Sequence, residues 1–371
     1  MSKLPGKMTR KQHWVPRFYL RHFADSSGQL HAYNKNSGVF YRTKVEDVCS
    51  KRDLYEVKYS DIEADSDDKY YAQNLIETKL SESESQISVS YSRLLQCCKD
   101  AALEGDAFRR GRQAVCKLAS NLIVRHPATM LADRNRAREG SSMLLEDVVL
   151  TEEEKALLDW SGWNSDHKAL AELSVSATLL FSEDGSIPAN RIYEAFLEKR
   201  FCILEAPIGS GFVTTSMPIF IIGPEDDSYD FHLAYMPLSS EYATVFSDRL
   251  LLPPFARLDF SGTECMNRLL LLNCKHWDVA ISRGSGPLEH AVRDWSQATS
   301  AKFMREKFTR DGRELSLDAV IYDRLKEKGQ TIPDANDRGC LDEEDLCVIF
   351  EHLLGEDDKG LEYSRVKQRI D

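Results

Sequence analysis

A histidine stands three residues before a proline near the N-terminus, in the stretch QHWVPRFYLRHF at residues 12–23. Pro16 has a φ close to the helical value and needs no amide partner in a first turn, so the pattern predicts an amphipathic helix beginning there. His13 would then lie near the positive end of the helix dipole, which favours the neutral imidazole. A neutral ring accepts a proton, binds a metal or donates an N–H to a phosphate. The alternative is that His13 and Trp14 pack and hydrogen-bond the N-terminal arm onto the core.

The same stretch resembles the signature His-Tyr-Val-Pro, then Phe-Tyr-Leu and Phe, of a large bacterial domain family of unknown function. Trp14 stands where the family usually has tyrosine, which keeps the aromatic character. Further family segments follow in order within about residues 10–285: Gly28 to Lys35, Asn74 to Glu77, Arg125 to Pro127, Phe212 to Pro218, Pro237 to Ser239, and a helix carrying Asn267. Some members are linked to anti-phage defence, so the resemblance implies a context but no settled reaction.

The family motifs select His13, Glu77 and Arg125 as candidate catalytic residues, with His126 and Glu84 as auxiliaries. The resemblance implies that they converge, since their spacing in the sequence does not show it. The imidazole or carboxylate would act as a base or metal ligand, and the guanidinium would clamp a phosphate. In an equally weighted alternative, a buried Glu77–Arg125 ion pair joins two long helices while His13 pins the N-terminal arm.

Two basic segments stand out in a chain whose formal net charge is −12. Residues 1–52 carry 11 Lys and Arg against 3 Asp and Glu, and residues 108–139 carry 8 against 2. If the segments converge they form a phosphate-attracting surface, although solvated helix faces have the same composition. We therefore predict Arg17, Arg21 and His126 as substrate-binding residues and nucleic acid as a partner.

One segment departs from the family pattern. Thr215, Ser216, Met217 and Pro218 stand where the family commonly has Ser-Asp-Asn-Pro, so the carboxylate and carboxamide are absent. If that Asp were a ligand or base, this chain would have lost the step or moved it elsewhere. If the segment only forms a turn at the end of a sheet, the replacements matter little.

The nine cysteines include no Cys-x-x-Cys pair, which indicates reduced and mostly buried thiols. The sequence assigns no metal ligands and leaves the cofactor unknown. Its longest apolar runs fall far short of the roughly 20 residues that a membrane span needs, and no export pattern is visible. The cytoplasm is the expected location.

Periodicity predicts an α+β fold, with long helices, an antiparallel or mixed sheet and a small helical C-terminal appendage. We expect a family core at 1–300 and an acidic appendage at 301–371 that contacts a protein partner. The expected elements are an N-terminal hairpin joining or covering the later sheet, helices at about 68–99, 107–136 with a break at Pro127, 151–160, 166–181, 188–198, 264–274, 316–328 and 342–354, and short strands between 201 and 246 and at 277–282.

Two functions fit these observations. The first is a defence effector that acts on nucleic acid or a nucleotide-containing substrate, with hydrolase or nuclease-like activity if it is an enzyme. The second is a non-catalytic sensor or interaction module in which the same residues stabilise the fold.

Overall fold

A computed structural model describes residues 10–58, 70–71, 74–146, 179, 188–223, 231–248, 250, 253–274, 276–298, 307–310, 313–316 and 350. Helices and sheets are both present in long runs, so the fold is α+β, as predicted. In the described residues the helices are α1 (Arg17–Leu20), α2 (Leu75–Lys99), α3 (Gly105–Val124), α4 (Pro127–Glu146), α5 (Pro188–Glu198), α6 (Phe260–Asn273) and α7 (Ser285–Ala298).

The strands are short and form two main sheets with three small ribbons. Their bounds are β1 (Lys11–His13), β2 (Gln29–Asn34), β3 (Val39–Lys44), β4 (Ser50–Arg52), β5 (Val57–Lys58), β6 (Tyr70–Tyr71), β7 (Arg200–Glu205), β8 (Thr214–Thr215), β9 (Phe220–Ile222), β10 (Leu233–Pro237), β11 (Tyr242–Ser247), β12 (Phe255–Arg257), β13 (Val279–Ser282), β14 (Lys307–Arg310) and β15 (Arg313–Ser316).

The larger sheet has the strand order β12-β7-β11-β10-β9. Its strands pair antiparallel, except that β12 runs parallel to β7. Alternate residues of β7 enter different apolar clusters: Ile203 packs with α2, α3 and α5, whereas Leu204 packs with α6 and α7. Both faces of this sheet are therefore buried, which explains why its strands are continuous apolar runs without polar alternation.

The second sheet has the order β3-β2-β13-β8, with antiparallel pairing throughout. The predicted N-terminal hairpin is β2 and β3, and it joins strand β13 from the far end of the family region. The strands expected as one sheet between 201 and 246 are thus divided, because β8 pairs with β13 and not with its sequence neighbours.

Each predicted helix that lies within the described residues is present, and one bound is corrected. The buried face of α2 includes Ile76, Leu80, Ile87, Tyr91, Leu94 and Cys98, but the helix begins at Leu75 and not near residue 68, because Tyr70 and Tyr71 form β6 against β5. The predicted break at Pro127 separates α3 from α4. The expected helix at 188–198 matches α5.

The helices expected at 151–160, 166–181, 316–328 and 342–354 lie almost entirely outside the described residues. Within 301–371 the structure describes the β14–β15 ribbon and Phe350, which is helical and fully buried in the cluster containing α6. The domain division stays a prediction. Among the described helices, none combines the length and apolar character that crossing a membrane requires.

Candidate functional site

Arg125 lies at the C-terminal end of α3, where its amide donates to the Asn121 carbonyl and Pro127 prevents the helix from continuing. Its side chain is 1% exposed. The Nε donates to the Tyr55 hydroxyl at 3.1 Å, Nη1 to Glu84 Oε1 at 2.6 Å, and Nη2 to the His13 carbonyl. One guanidinium therefore joins α2, α3, the N-terminal arm and the segment after β4.

His13 lies in a strand, and the helix predicted to begin at Pro16 follows it as α1 and a 3-10 turn over Arg21–Phe23, a segment too short to give His13 a strong helix dipole. His13 ends β1, opposite Ser50 of β4, and the α1 helix that follows Pro16 has only four residues. The His13 Nε2 is 3.2 Å from the Glu46 carbonyl. Burial lowers the pKa of His13, and the charges of Arg17 and Lys11 add to the shift, so the ring is neutral at pH 7 for a different reason from the one predicted.

Glu77 lies in the first turn of α2, partly buried, and its carboxyl group forms no hydrogen bond or ion pair with any other described residue. Burial raises the pKa of its carboxyl to about 7, the Arg125 charge opposes the shift, and the Glu84 charge adds to it. The ion pair that joins the two helices is made by Glu84, not by Glu77 as the structural alternative supposed. Glu77 is thus a carboxyl group beside a buried cation that is already paired.

Arg17 and Arg21 are exposed, and within the described part of the chain neither side chain has an ion-pair partner. The charge of Arg17 lowers the pKa of both His13 and Glu77, so Arg17 lies near both groups. The strand register adds Lys11 and Arg52, which are opposite each other on the face of the β1–β4 ribbon that carries His13. Lys11 pairs with Asp47 at 2.6 Å and Arg52 lies 3.5 Å from Asp53, so of the basic residues near His13 only Arg17 has no ion-pair partner among the described residues.

The second basic segment contributes less than its composition suggested. Arg109 and Arg110 share Asp106, and Arg112 donates to two backbone carbonyls at the end of α5. Among the residues of this segment whose side chains the structure describes, Arg125 and His126 lie at the site, and Arg125 is enclosed.

His126 is 3% exposed, and its Nδ1 accepts from the Ala128 amide at 3.2 Å, which caps the first turn of α4. The ring packs edge-on against Trp14 and lies 6.3 Å from the His276 ring, centroid to centroid. Burial lowers the pKa of His126 to about 4, with the charge of His276 as the second cause. His126 is therefore a neutral, buried ring that caps the start of α4. Of the three residues predicted to bind substrate, it is the buried one, whereas Arg17 and Arg21 are exposed.

Three residues of the site were missed by the sequence analysis: Gln12, Tyr55 and Glu56. The Tyr55 hydroxyl donates to the His13 carbonyl at 3.0 Å, and the Gln12 side chain accepts from the Tyr55 amide and donates to Glu56. Gln12 is fully buried although it is polar and lies next to two exposed or partly exposed residues. A single sequence gives no signal for these three hydrogen bonds, because each joins residues more than forty positions apart.

The family model described as "Protein of unknown function (DUF4238)" matches residues 11–283. The chain belongs to this family. The match includes His13, Glu77 and Arg125, so the whole candidate site lies within the DUF4238 domain, and the resemblance to a domain family of unknown function is confirmed. No curated protein and no solved structure matches the chain.

Other segments of the DUF4238 domain have structural contacts. Asn267 accepts from the Val213 amide and donates to the Gly211 carbonyl, both within 3 Å. Ser216 Oγ accepts from the amides of Asp278 and Val279, and the Ser216 carbonyl accepts from the indole of Trp14. The segment that departs from the family pattern is therefore a buried turn at the end of β8.

Within the described residues of this DUF4238 member, no three His, Cys, Asp or Glu side chains are placed to hold a metal ion. The seven described cysteines are free, and six of them are buried. Burial raises the pKa of Cys116, Cys265 and Cys274 to about 12, so these thiols are protonated and unreactive at pH 7.

Proposed function

We propose that this protein is a cytoplasmic anti-phage defence effector that hydrolyses a phosphate ester bond in nucleic acid or a nucleotide-containing substrate. The observation that carries the proposal is Glu77. A partly buried carboxyl group that no described residue binds costs folding free energy, and such groups concentrate at functional sites.

The ionisation states of two groups suit acid–base chemistry. His13 is neutral at pH 7 and can accept a proton from an attacking water, whereas Glu77, with a pKa of about 7, is partly protonated and can donate to the leaving oxygen. The water oxygen would bond to phosphorus while the ester P–O bond breaks, so water is the only co-reactant. Activity should fall above about pH 7 as Glu77 ionises.

Two exposed cations support an anionic substrate. Arg17 lies near His13 and Glu77 and, like the exposed Arg21, has no ion-pair partner among the described residues, which suits a phosphate group, whereas Lys11 and Arg52 are paired with Asp47 and Asp53. Arg125 is enclosed and fixes the His13 backbone and Glu84, so we assign it a positioning role. The defence context comes from the family resemblance.

The test compares Glu77→Gln with Glu82→Gln. Both changes remove one carboxylate from α2, but Glu82 is exposed and pairs only with Lys79 within the described residues. Wild type, both variants and His13→Ala are expressed at matched levels, their thermal melting is compared, and phage plaquing is counted. The purified proteins are then incubated with single- and double-stranded DNA, RNA and nucleoside triphosphates from pH 5 to 9.

Loss of protection and hydrolysis in Glu77→Gln and His13→Ala, with Glu82→Gln fully active and all variants folded, is the expected result. A reduction of about 100-fold or more is typical of a lost general acid or base. Protection by wild type that survives Glu77→Gln, without hydrolysis of any substrate, would favour the alternative, a non-catalytic sensor or interaction module. The observation that supports this alternative is the set of three hydrogen bonds made by the Arg125 guanidinium, which gives that residue a structural role. A wild-type chain that gives no protection contradicts the defence role.

A further inference from the structure

One edge of the second sheet has no partner strand in the described part of the chain. Strand β3 stands at the end of the order β3-β2-β13-β8. It pairs with β2 over six consecutive residue pairs, from Gln29–Lys44 to Asn34–Val39, so it has no bulge, and it contains no proline. The other end strands of the two main sheets, β8, β9 and β12, have two or three residues and are buried or half-buried. The outer N–H and C=O groups of β3 can therefore accept a further strand.

The side chains along this edge are apolar and exposed. Val39, Phe40 and Tyr41 follow one another in β3, with relative exposures of 52%, 46% and 37%. Natural sheets usually protect a long edge strand with charges, proline, a bulge or a covering element, and consecutive exposed apolar residues there are typical of a surface that pairs with another chain. The second half of β3 carries Arg42 and Lys44, so the strand has an apolar half and a cationic half.

Two side chains of this edge are already held in place. The Phe40 ring packs on Tyr33 of β2, with the ring centroids 4.7 Å apart. Arg42 pairs with Asp25, whose carboxylate also accepts from the amide and hydroxyl of Ser27. Because alternate residues of a strand share a face, Phe40 and Arg42 are neighbours on one face of the sheet. A preformed surface of this kind loses little conformational entropy when it pairs.

We propose that β3 pairs antiparallel with the β3 strand of a second copy of this chain, which joins two four-stranded sheets into one of eight strands. The twofold axis passes at Tyr41, perpendicular to the sheet. Phe40 then faces Arg42 of the second copy, and Val39 faces Thr43. Each guanidinium lies beside an aromatic ring, and no two like charges face each other, so the strand is complementary to its own copy.

Symmetry and charge select this register. The axis must pass at a residue and not between two residues, because side chains that face each other lie on the same side of the sheet. An axis at Arg42 would place that cation opposite its own copy. An axis at Phe40 would pair only the first three residues of each strand. The axis at Tyr41 covers all three exposed apolar residues, and it involves neither His13 nor Glu77, so the pairing is independent of the proposed hydrolysis.

Sedimentation equilibrium of the full chain tests the pairing. A single pair of short strands is a small interface, so wild type should change from monomer to dimer between about 1 and about 200 µM. Val39→Lys adds a charge to the edge in both copies and should weaken association about tenfold or more, with thermal melting unchanged. Val89→Lys is the matched control: it makes the same change at a position of α2 that is 56% exposed, and the dissociation constant should stay within about twofold.

Tyr41→Cys tests the register independently of affinity. The two introduced thiols would face each other across the axis, so mild oxidation should give a covalent dimer. Thr43→Cys would face Val39 of the second copy and should stay monomeric under the same oxidation, as should wild type with its native cysteines.

Three outcomes overturn the proposal. Wild type that is still monomeric at about 200 µM would leave the β3 edge to a strand from a different protein. Equal weakening of a dimer by Val39→Lys and Val89→Lys, or no weakening by Val39→Lys, would place the dimer contact elsewhere. Covalent dimers that form from Thr43→Cys as readily as from Tyr41→Cys would refute the register.

Discussion

At the scale of single residues, Arg125 and Glu77 are neighbouring groups that burial affects differently, because the guanidinium is fully bonded and the carboxyl is not. Arg125 is enclosed but fully engaged, with bonds to a carboxylate, a hydroxyl and a backbone carbonyl. Such complete bonding offsets the desolvation of the charge, and removal of one partner from such a pair costs several kcal/mol. Glu77 has no such bonds, so burial raises the pKa of its carboxyl to about 7, and the charge of Arg125, which pairs with Glu84, opposes this shift only in part.

Glu77→Gln should therefore change the pH dependence of stability. The folded-state pKa of about 7 lies above the ordinary value of 4.5, so the stabilising effect of protonated Glu77 is complete below pH 4.5 and is lost as the pH rises through 7. Relative to wild type, the variant should gain about 1–2 kcal/mol in free energy of unfolding between pH 5 and pH 8, after allowance for partial exposure. Urea unfolding at both pH values measures this.

Glu82→Gln serves as the control for that measurement, because its side chain is 59% exposed. Its free energy of unfolding should differ from that of wild type by about the same amount at both pH values. A pH-independent difference for Glu77→Gln as well would mean that Glu77 ionises normally, which would remove the acid from the proposed mechanism.

The sequence predicted three residues of the site but not which of them contact one another. The motifs selected His13, Glu77 and Arg125, and the structure places them around one guanidinium. Glu77 and Glu84 are seven residues apart, so helical periodicity places both on the same face of α2 and does not choose between them. The choice depends on where α3 crosses α2, which is a tertiary property that no local pattern contains.

At the scale of elements, the α2–α3 contact fixes the position of the candidate site. The helices meet closely at Gly111, where an added Cβ would lie 2.5 Å from the Leu94 Cβ. A glycine inside a helix costs roughly 1 kcal/mol of helix propensity relative to alanine, so its presence here reflects the space that Leu94 occupies. The crossing at Gly111 in turn sets the register that brings Glu84 to Arg125.

Gly111→Ala should destabilise the protein although alanine is the better helix former. Overpacking of this kind costs about 1–3 kcal/mol, and it should outweigh the gain in propensity. The control is Gly286→Ala in α7, where an added Cβ meets nothing within 4 Å and stability should stay equal or rise slightly. Thermal unfolding of both variants is compared with that of wild type. If Gly111→Ala is as stable as wild type or more stable, α2 and α3 can move apart at this contact without loss of stability.

Elements with strong periodicity were predicted well, and so was the β2–β3 hairpin with its turn, whereas the short ribbon that pairs distant residues was not. The apolar face of α2 and the bounds of α5 follow from spacing alone. The β1–β4 ribbon has three residues in each strand and joins residues about forty positions apart. It therefore has neither an alternation of polar and apolar residues nor a turn motif from which it could be predicted. For this reason the helix that follows Pro16 was predicted, but the strand that holds His13 was not.

At the scale of the whole molecule, the five-stranded sheet divides the protein into two apolar clusters that share its strands. Ile203 and Leu204 are neighbours in β7, yet they belong to different clusters. A substitution that disturbs the packing of either cluster therefore affects the backbone of strand β7. Phe350 is fully buried in the cluster with α6, although it comes from the region expected to be a separate appendage.

Phe350→Ala in the full chain should therefore destabilise the family domain. Removal of a buried phenylalanine side chain typically costs about 3–5 kcal/mol, whereas Ile208→Ala, at a fully exposed position, should change stability by no more than about 0.5 kcal/mol. Hydrogen exchange of the β7 and β10 amides reports the effect directly, since these strands border the cluster. Faster exchange in Phe350→Ala would mean that the C-terminal region unfolds together with the core. Unchanged exchange at β7 and β10, with a lowered transition elsewhere, would show that residues 301–371 form a unit of their own.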